Sequence, residues 1–480
     1  MSGLNLSLLG PEWALAATAL ALLLADLMLP KAASRRSLGL VAAAGMALGL
    51  ALSLCPASQS QAFGGSWLGD GLTQALRQVL LMAGLLTALI SMPYLEKGPL
   101  SSIGEYWLLL VFGLLGLLFM AAAGDLLTLY VALETSSLAF YALTAIRKEG
   151  SQLSVEGGLK YLLLSATATA LLLYGISLIY GATGTVSLSR IAMQLAQPSD
   201  PALLLAGTAL LVAGFGFKLA LVPFHFWAPD AYQAAPTPVA GLLSVGSKAA
   251  AMAAAVRLFA ITLGQAGDVT SLWALLFALL AALSMGFANL LALRQKDLKR
   301  FLAFSSISQA GTLVLGLLAN SSMGLSSITY FLAAYVFGNL AAFAVVQEVW
   351  SATGSEDLDG LRGLYQRAPL RALALLLAML SLAGIPPLAG FFAKFYLYAA
   401  AARSGWWWLV AWAVANSVVA LFYYLVVAKR MYLEDPAEGQ APLPPACPSM
   451  ALALSICIGM TLVMGLFPGY FIHWLEVALR

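Results

Sequence analysis

Ionisable side chains occur inside stretches of this sequence that are apolar enough for hydrocarbon. Lys218 and Lys248 lie in GFGFKLALVPFHFWAPDAYQAAPTPVAGLLSVGSKAA, Glu134 lies in LYVALETSSLAFYAL, and Lys394 lies in PLAGFFAKFYLYAAA. A charge at the centre of a bilayer costs about 2.5–3.5 kcal/mol on insertion scales, and such groups usually face a protein interior or water. These four residues are therefore candidates for a proton or ion pathway.

The composition is that of an integral membrane protein. Of the 480 residues, 61% are hydrophobic and 9% are charged, whereas a soluble domain carries about 25% charged residues. Apolar runs of about 20 residues recur, which is the length that a helix needs to cross a bilayer. Because these runs are continuous and do not alternate, they predict helices and not the strands of a barrel. The predicted fold is an all-α polytopic membrane protein.

About 14 transmembrane helices are predicted from the apolar runs. They lie near residues 11–30, 37–56, 71–94, 103–122, 125–147, 154–180, 202–222, 237–262, 270–293, 298–318, 323–350, 369–402, 406–430 and 448–474. If the N-terminus is outside, fifteen of the 24 Lys and Arg residues fall in cytoplasmic loops or at their edges, and four fall outside. This excess follows the positive-inside rule and predicts a multi-pass protein with its N-terminus outside.

Few residues could hold a redox or nucleotide cofactor. The cysteines Cys55, Cys447 and Cys457 are far apart, and the only histidines are His225 and His473. This spacing disfavours iron–sulfur ligation, a disulfide framework and a zinc site. We expect no cofactor or metal bound by this chain, and we expect the lipid bilayer, not nucleic acid, as its surroundings.

Proline interrupts two of the lysine-bearing segments. Pro223 follows Lys218, and Pro386 and Pro387 precede Lys394. Proline removes a backbone donor and frees a carbonyl one turn earlier, which a membrane helix tolerates only where protein or water satisfies the freed group. Interrupted helices in corresponding places of two halves indicate an inverted-repeat transporter. The sequence thus predicts two inverted five-helix repeats, each with a broken helix.

This reading divides the chain into four segments. They are an N-terminal three-helix segment at 1–100, a first antiporter-like repeat at 101–264, a second at 265–432 and a C-terminal helix at 433–480. Two further cations, Lys160 and Arg257, lie near the ends of their predicted spans. Their long side chains can reach an interface, which is the favoured explanation for Arg257, whereas for Lys160 an interfacial and a functional role both stay open.

Three long motifs carry a resemblance to a known family. Residues 214–250 resemble the central signature of the antiporter-like, proton-translocating membrane subunits of respiratory complex I. Residues 295–311 (QKDLKRFLAFSSISQAG) and the helix of Lys394 are similar to two further signatures, and the Glu134 segment fits a glutamate-bearing helix of that family. The resemblance covers nearly the whole chain, and a lysine at position 394 favours the subunit-N branch.

The resemblance implies a role for each candidate residue. Glu134 and Lys218 would form a coupling ion pair, Lys248 would be the central relay, and Lys394 would be the lysine nearest the outside exit. Accessory roles fall to His225 beside the broken helix, to Lys160 and to Lys299. One departure is Gln309, where some relatives carry histidine, because glutamine cannot titrate and thus cannot relay a proton.

The resemblance also implies a setting. The chain would move protons from the cytoplasm to the outside as a subunit of an NADH–quinone oxidoreductase in a bacterial inner membrane. NAD, FMN, iron–sulfur clusters and quinone are then expected in partner subunits, with other membrane subunits of complex I as neighbours. Three alternatives stay open: a subunit of a cation/proton antiporter, a subunit of a hydrogenase-type relative, and a structural scaffold whose buried charges only fix helix packing.

Overall fold

The computed structural model describes residues 6–29, 35–55, 60–97, 100, 102–147, 151–195, 198–264, 266–436 and 442–479. The helices are α1 (Gly10–Met28), α2 (Arg36–Ser53), α3 (Gly71–Lys97), α4 (Ile103–Ala122), α5 (Leu126–Thr144), α6 (Gln152–Thr183), α7 (Leu188–Gln194), α8 (Pro201–Lys218), α9 (Trp227–Ala234), α10 (Thr237–Ala255), α11 (Asp268–Ala292), α12 (Leu298–Leu318), α13 (Ser322–Thr353), α14 (Leu364–Arg367), α15 (Pro369–Ala383), α16 (Ala389–Arg403), α17 (Trp407–Tyr432), α18 (Pro448–Leu466) and α19 (Pro468–Ala478). Helix α10 continues as a π-helical segment, Val256–Thr262.

The all-α membrane fold is confirmed. Thirteen of the described helices are long and apolar enough to cross a membrane, and α15 is a shorter apolar helix. The predicted span at 369–402 is divided, because α15 ends before the two prolines and α16 begins after them. Counted together as one interrupted crossing, α15 and α16 complete the fourteen predicted spans.

Several short elements were not predicted. A hairpin pairs β1 (Ser60–Ala62) with β2 (Trp67–Gly69) in antiparallel register, and α7, α9, α14 and α19 are each 11 residues or shorter. Segments of this length carry too few turns to show helical periodicity in the sequence. The most consequential of them is α9, which resumes the helix that Lys218 ends.

Two groups of five spans repeat one backbone pattern. Helices α6 and α13 are both 32 residues long, and each ends at a left-handed glycine. Beyond that glycine the chain returns to the start of the preceding helix. The Leu126 amide donates to the Val186 carbonyl over 3.0 Å, and the Leu298 amide donates to the Glu356 carbonyl over 2.8 Å. The group α4–α10 and the group α11–α17 therefore share one construction, while the predicted boundaries at 101–264 and 265–432 stay predictions.

The two groups run in opposite directions. Arg257, near the end of α10, binds the Ala121 carbonyl at the end of α4 and the carboxylate of Asp70. Lys299, at the start of α12, binds the Ala235 carbonyl just before α10. Helix α5 thus begins at the end of the bundle that holds Asp70, and its counterpart α12 begins at the end that holds Lys299. We call these the Asp70 end and the Lys299 end.

The Lys299 end is the predicted cytoplasmic end. Among the cations that set this predicted orientation, Lys31, Lys148 and Arg480 lie outside the described residues. The orientation of the bundle in the membrane therefore stays a prediction.

Three helices form the centre of the bundle. The span windows of α10 and α12 are 100% buried and that of α13 is 94% buried, against 33% for the outer helices α6 and α17. Helix α10 contains the run Ser-Lys-Ala-Ala-Ala-Met-Ala-Ala-Ala, and small residues let neighbouring backbones approach closely in membrane proteins. Any group on α10 or α12 is consequently removed from lipid.

Two arginines that the sequence places near membrane interfaces are buried in ion pairs. Arg257 is 3% exposed and binds both carboxylate oxygens of Asp70, at 2.7 and 2.6 Å. The side chain ends at Asp70, at the start of α3 and at one end of the bundle, and its expected reach to the interface stays a prediction. Arg77, inside the predicted span at 71–94, pairs with Glu12 of α1 over 3.0 Å. The Arg257 pair joins the end of α10 to the N-terminal segment, and the Arg77 pair joins α1 to α3 within that segment.

Replacing Asp70 by alanine should destabilise the protein more than the loss of a helix cap alone. Asp70 caps α3 through the Thr73 amide and also neutralises Arg257. Asp200 is a matched control, since it caps α8 through the Ala202 amide and pairs with no cation in the described residues. A lost cap costs about 1 kcal/mol, and an uncompensated buried charge costs roughly 3 kcal/mol. In thermal unfolding of the complex in detergent, the melting temperature of Asp70→Ala should be well below that of Asp200→Ala.

The destabilisation caused by Asp70→Ala should depend on pH. Burial alone would raise the pKa of the Asp70 carboxyl, but the hydrogen bonds and positive charge of Arg257 outweigh burial and hold that pKa below its ordinary value. A carboxyl with a lowered pKa stabilises the fold above its unfolded value of about 3.9, and this contribution disappears as the pH falls through the folded value. The difference between wild type and Asp70→Ala should therefore shrink below about pH 4; a difference that grows there would contradict this assignment.

Candidate functional site

The first break separates α8 from α9 directly after Lys218. The backbone groups freed by the break find partners on other elements. The Trp227 indole donates to the Phe217 carbonyl over 3.0 Å, and the Val222 amide donates to the Ser284 hydroxyl over 2.8 Å. The break is therefore stabilised by contacts with other elements, and Lys218 is the last residue of α8.

Pro223 and His225 both lie within this break. His225 is 3% exposed, and its ring meets the ring of Phe287 on α11 with centroids 5.7 Å apart. Its Nδ1 atom has no hydrogen-bond partner in the part of the chain that the structure describes. The predicted position beside the broken helix is found, but no hydrogen bond connects His225 to the relay residues described here.

The second break separates α15 from α16 and contains Pro386 and Pro387. Lys394 lies in the second turn of α16 and points back across the break, where its Nζ atom donates to the Ala383 carbonyl over 3.1 Å. Ala383 is the last residue of α15, so its carbonyl has no helical partner. The break thus supplies an uncharged acceptor for a buried lysine.

Lys218 and Glu134 do not form the predicted ion pair. The Nζ atom of Lys218 donates to the hydroxyl of Ser137 on α5 over 2.9 Å. Glu134 lies about one turn earlier on α5, is only partly buried, and has an Oε1 atom without a hydrogen-bond partner among the described residues. A serine hydroxyl therefore occupies the place that the resemblance gave to the carboxylate, and Glu134 lies nearby without contact.

Lys248 lies in the middle of α10 and is 2% exposed. Its Nζ atom donates to the hydroxyl of Ser306 on α12. The same atom lies 5.9 Å from the ring centroid of Tyr232 on α9, a distance at which the ring face attracts a cation. Lys248 is thus held between the two groups of helices by neutral partners.

A row of aromatic rings extends from α5 to Lys248. Tyr141 meets Tyr161 with centroids 4.7 Å apart, Tyr161 stacks on Trp227 at 4.4 Å, and Trp227 meets Tyr232 at 6.2 Å. Tyr141 also donates a hydrogen bond to Ser165. This row passes through α9, the short helix that was not predicted, and ends at Tyr232 beside Lys248.

Comparison with known proteins places the chain. Residues 123–420 match the family described as "NADH:quinone oxidoreductase/Mrp antiporter, TM". The chain belongs to this family. The matched residues include both helix breaks and the four relay candidates Glu134, Lys218, Lys248 and Lys394.

Individual relatives support the subunit-N resemblance. The chain is 42% identical over 97% of its length, and 96% of the relative's, to a protein of Moorella thermoacetica named NADH-quinone oxidoreductase subunit N. A solved chain of respiratory complex I from Thermus thermophilus is 35% identical, with a TM-score of 0.79 over 96% of this chain and 98% of that one. A chain of the Mrp complex from Dietzia sp. has a TM-score of 0.84 over 99% of this chain and 97% of that one, at 24% identity, which shows a shared fold alone.

The buried cations of this family member differ in their partners. Carboxylates pair with Arg77, Arg257, Lys299 and Arg371, at the two ends of the bundle, and the buried Arg367 donates to the Gly360 carbonyl over 3.1 Å. The three relay lysines are equally buried, yet no carboxylate pairs with any of them in the described part of the chain. Their hydrogen bonds go to Ser137, to Ser306 and to the Ala383 carbonyl. Unpaired burial is costly for a charge, so these three lysines are the unusual ones.

The two accessory lysines pair with carboxylates. Lys299 is 0% exposed and its Nζ atom lies 2.8 Å from a Glu356 oxygen. Lys160 is 47% exposed and lies 2.7 Å from Glu156 and 3.0 Å from Asp230. Lys160 therefore belongs to a charged cluster at the Lys299 end, and whether its role is interfacial or functional stays open, as does the role of Lys299 in proton transfer.

The neutral partners are what sequence reasoning missed. Ser137 and Ser306 lie within motifs that were recognised, but serine is too common for its type to signal a role. Tyr232 and the other aromatic residues looked like ordinary core residues for the same reason. A weak signal was available in the SSISQAG motif, where hydroxyl groups recur on a span that is otherwise apolar.

Replacing Gly390 by alanine should destabilise the second break. A Cβ atom at Gly390 would lie 1.8 Å from the backbone carbonyl oxygen of Ser381, and the Gly390 amide also donates to the Ser381 hydroxyl. Because the backbone cannot move aside easily, we expect the free energy of unfolding to fall by about 3 kcal/mol. On heating, the variant subunit should be lost from the assembled complex.

Gly459→Ala is the matched control for this variant. Gly459 lies inside α18, and a Cβ atom there would meet nothing within 4 Å. Alanine favours a helix over glycine by roughly 1 kcal/mol, so Gly459→Ala should be neutral or slightly stabilising. Equal thermal stability of the two variants would contradict the tight backbone contact at the second break.

The pair Lys299–Glu356 should show coupling in a double-mutant cycle. Removing either partner leaves a buried charge, at a cost of about 3 kcal/mol, whereas removing both leaves none. Lys299→Met and Glu356→Gln together should thus destabilise less than the sum of the single changes, as measured by thermal unfolding of the complex. The exposed pair Lys429–Glu434, with 3.8 Å between its charged atoms, should show little coupling. Additive effects at Lys299 and Glu356 would count against this contact.

Proposed function

We propose that this chain moves protons across the membrane through Lys218, Lys248 and Lys394, as a membrane subunit of an NADH–quinone oxidoreductase. The observation that supports this proposal best is that the hydrogen bonds of the three lysines go to neutral groups. A scaffold would pair its buried charges, as this protein does at both ends of the bundle. An amine held only by hydroxyl and carbonyl groups is stable with or without its extra proton, and so it can load and release one.

The chemistry follows from burial. Removing an ammonium group from water disfavours the charged form, and Lys218, Lys248 and Lys394 are 4%, 2% and 7% exposed. A proton on one of these lysines also repels a proton on the next. Moving one charge against 100 mV takes about 2.3 kcal/mol, which corresponds to a roughly fifty-fold change in proton affinity. Small changes around such a lysine are large enough to drive this step.

Glu134 is suited to make such a change. It lies about one turn from Ser137 and has a free carboxylate oxygen. If Glu134 moves to replace Ser137 as the partner of Lys218, the carboxylate stabilises the ammonium and the lysine keeps its proton. If Glu134 moves away, the lysine is left with a neutral partner and releases its proton. In this proposal the ion pair is one state of the cycle, not a permanent contact.

The energy source lies in partner subunits. NAD, FMN, iron–sulfur clusters and quinone are proposed to bind there, and redox reactions there would drive protons from the cytoplasm, at the Lys299 end, to the outside. The relatives named NADH-quinone oxidoreductase subunit N and the complex I chain favour this setting over an antiporter or a hydrogenase-type relative. The N-terminus would then lie outside the bacterial inner membrane.

Protons are favoured over sodium as the transported ion. Sodium prefers a cage of oxygen ligands, whereas three of the four deep residues on the proposed path are lysines. A charged lysine has no acceptor to offer a cation. Pumping that requires sodium would instead support the antiporter alternative.

The proposal is tested with Lys218→Met, Lys248→Met and Lys394→Met in the complete complex, reconstituted into liposomes. The measurement is the number of protons pumped per electron during quinone reduction by NADH. We expect each variant to lower this ratio, because methionine fills a similar volume but cannot carry a proton. Lys429→Met is the control, since Lys429 is 63% exposed and should retain the wild-type ratio.

A scaffold role predicts a different result. If Lys248→Met assembles normally and pumps as many protons per electron as the wild type, the lysine serves packing and the proposed function fails. Assembly is checked separately by the amount of subunit retained in the purified complex.

A further inference from the structure

The route between Lys248 and Lys394 cannot use the residue at position 309. The Gln309 side-chain nitrogen donates to the Leu382 carbonyl over 2.9 Å and to the Tyr424 hydroxyl over 3.4 Å. An amide has no proton that it can give up near neutral pH. Gln309 therefore holds α12 against α15, and a proton that leaves Lys248 needs another path.

Hydroxyl groups near Lys248 offer another path. Ser306 accepts the hydrogen bond from Lys248. Its hydroxyl is also close to the phenol groups of Tyr232 on α9 and Tyr335 on α13. Tyr335 is 5% exposed, and its hydroxyl has no hydrogen-bond partner within the described residues. A buried phenol without a partner is uncommon, because leaving a polar group unsatisfied costs about 1–3 kcal/mol.

A small cavity joins Tyr335 to Lys394. Its walls include Gln309, Tyr335, Ser381 and Lys394, and it has a volume of about 10 Å³ for the centre of a water-sized sphere. A single buried water needs about that much space and two to four polar partners. The four side chains on these walls supply such partners, whereas the remaining lining is mostly apolar. The cavity is thus the size and the chemistry of a site for one water molecule.

We propose that this cavity binds one water molecule, and that Ser306, Tyr335 and this water carry the proton from Lys248 to Lys394 in place of Gln309. This inference rests on the function proposed above and adds residues to the same pathway. Each hydroxyl accepts a proton on its oxygen and releases its own proton to the next group. One proton leaves Lys248 and one reaches Lys394, so no charge remains on serine, tyrosine or water.

The test is Tyr335→Phe in the complete complex in liposomes, with protons pumped per electron as the readout. Phenylalanine removes only the hydroxyl, which interrupts the proposed path before Lys394. We therefore expect the ratio to fall to the level of Lys394→Met. Tyr330→Phe is the matched control on the same helix α13. Tyr330 is also buried, and its hydroxyl donates to the Met464 carbonyl over 2.7 Å, away from the lysines. Loss of a merely structural hydroxyl should leave the ratio unchanged.

A second pair of variants tests the other end of the path. Ser306→Ala removes the partner of Lys248 and should lower the ratio, whereas Ser305→Ala removes a hydroxyl that binds Tyr424 and should not. If Tyr335→Phe fails to assemble, this pair decides the result alone.

The water itself is tested by filling the cavity. Ala393 lies on the cavity wall and is 1% exposed, so Ala393→Val should exclude water and lower the ratio. Ala400, also on α16 and 1% exposed, lies away from the cavity lining, and Ala400→Val controls for overpacking. Normal pumping by assembled Ala393→Val would overturn the water site.

The outcomes separate this inference from the proposed function. If the lysine variants lose pumping but Tyr335→Phe and Ser306→Ala keep it, the path is wrong and the lysine relay stands. If the lysine variants themselves pump normally, the proposed function fails first. If Tyr330→Phe or Ser305→Ala lowers the ratio as much as its partner variant, the effect is structural and the path is again wrong.

Discussion

Three amine groups are buried in the middle of this bundle without a carboxylate partner among the described residues. An isolated charge in a low-dielectric interior costs several kcal/mol, so each lysine needs hydrogen-bond acceptors. Hydroxyl and carbonyl oxygens supply them here. The wholly buried helices α10 and α12, rich in small residues, and the interrupted helices α8–α9 and α15–α16 are the elements that supply such positions.

The same physics explains where the paired charges lie. Ion pairs such as Arg257–Asp70 and Lys299–Glu356 lie at the ends of the spans, where loop backbone and helix caps converge. A carboxylate beside each of these cations offsets part of the desolvation penalty and fixes the contact between helices. A permanent carboxylate beside a central lysine would stabilise its protonated form. The division between ends and centre therefore matches the proposed division between structural ion pairs and proton transfer.

The lysines at the two helix breaks have different hydrogen-bond acceptors. Lys218 is the last residue of its helix and takes a serine from α5, whereas Lys394 follows its break and takes the carbonyl that the break released. Lys218 thus precedes its break and Lys394 follows its own. At the first break, Trp227 and Ser284 satisfy backbone groups that the break frees.

The sequence by itself determined the class of fold, the number of spans and the positions of the deep charges, because hydrophobic length and the cost of a charge in lipid are local properties of the chain. It also located both breaks, since proline acts on its own neighbourhood. Only the tertiary structure decided the partners. Whether Lys218 meets Glu134 or Ser137, and which carboxylate Arg257 binds, depends on side chains far away in sequence. The path past Gln309 likewise depends on a cavity between α12, α13, α15 and α16, and a cavity is a property of packing that no single segment contains.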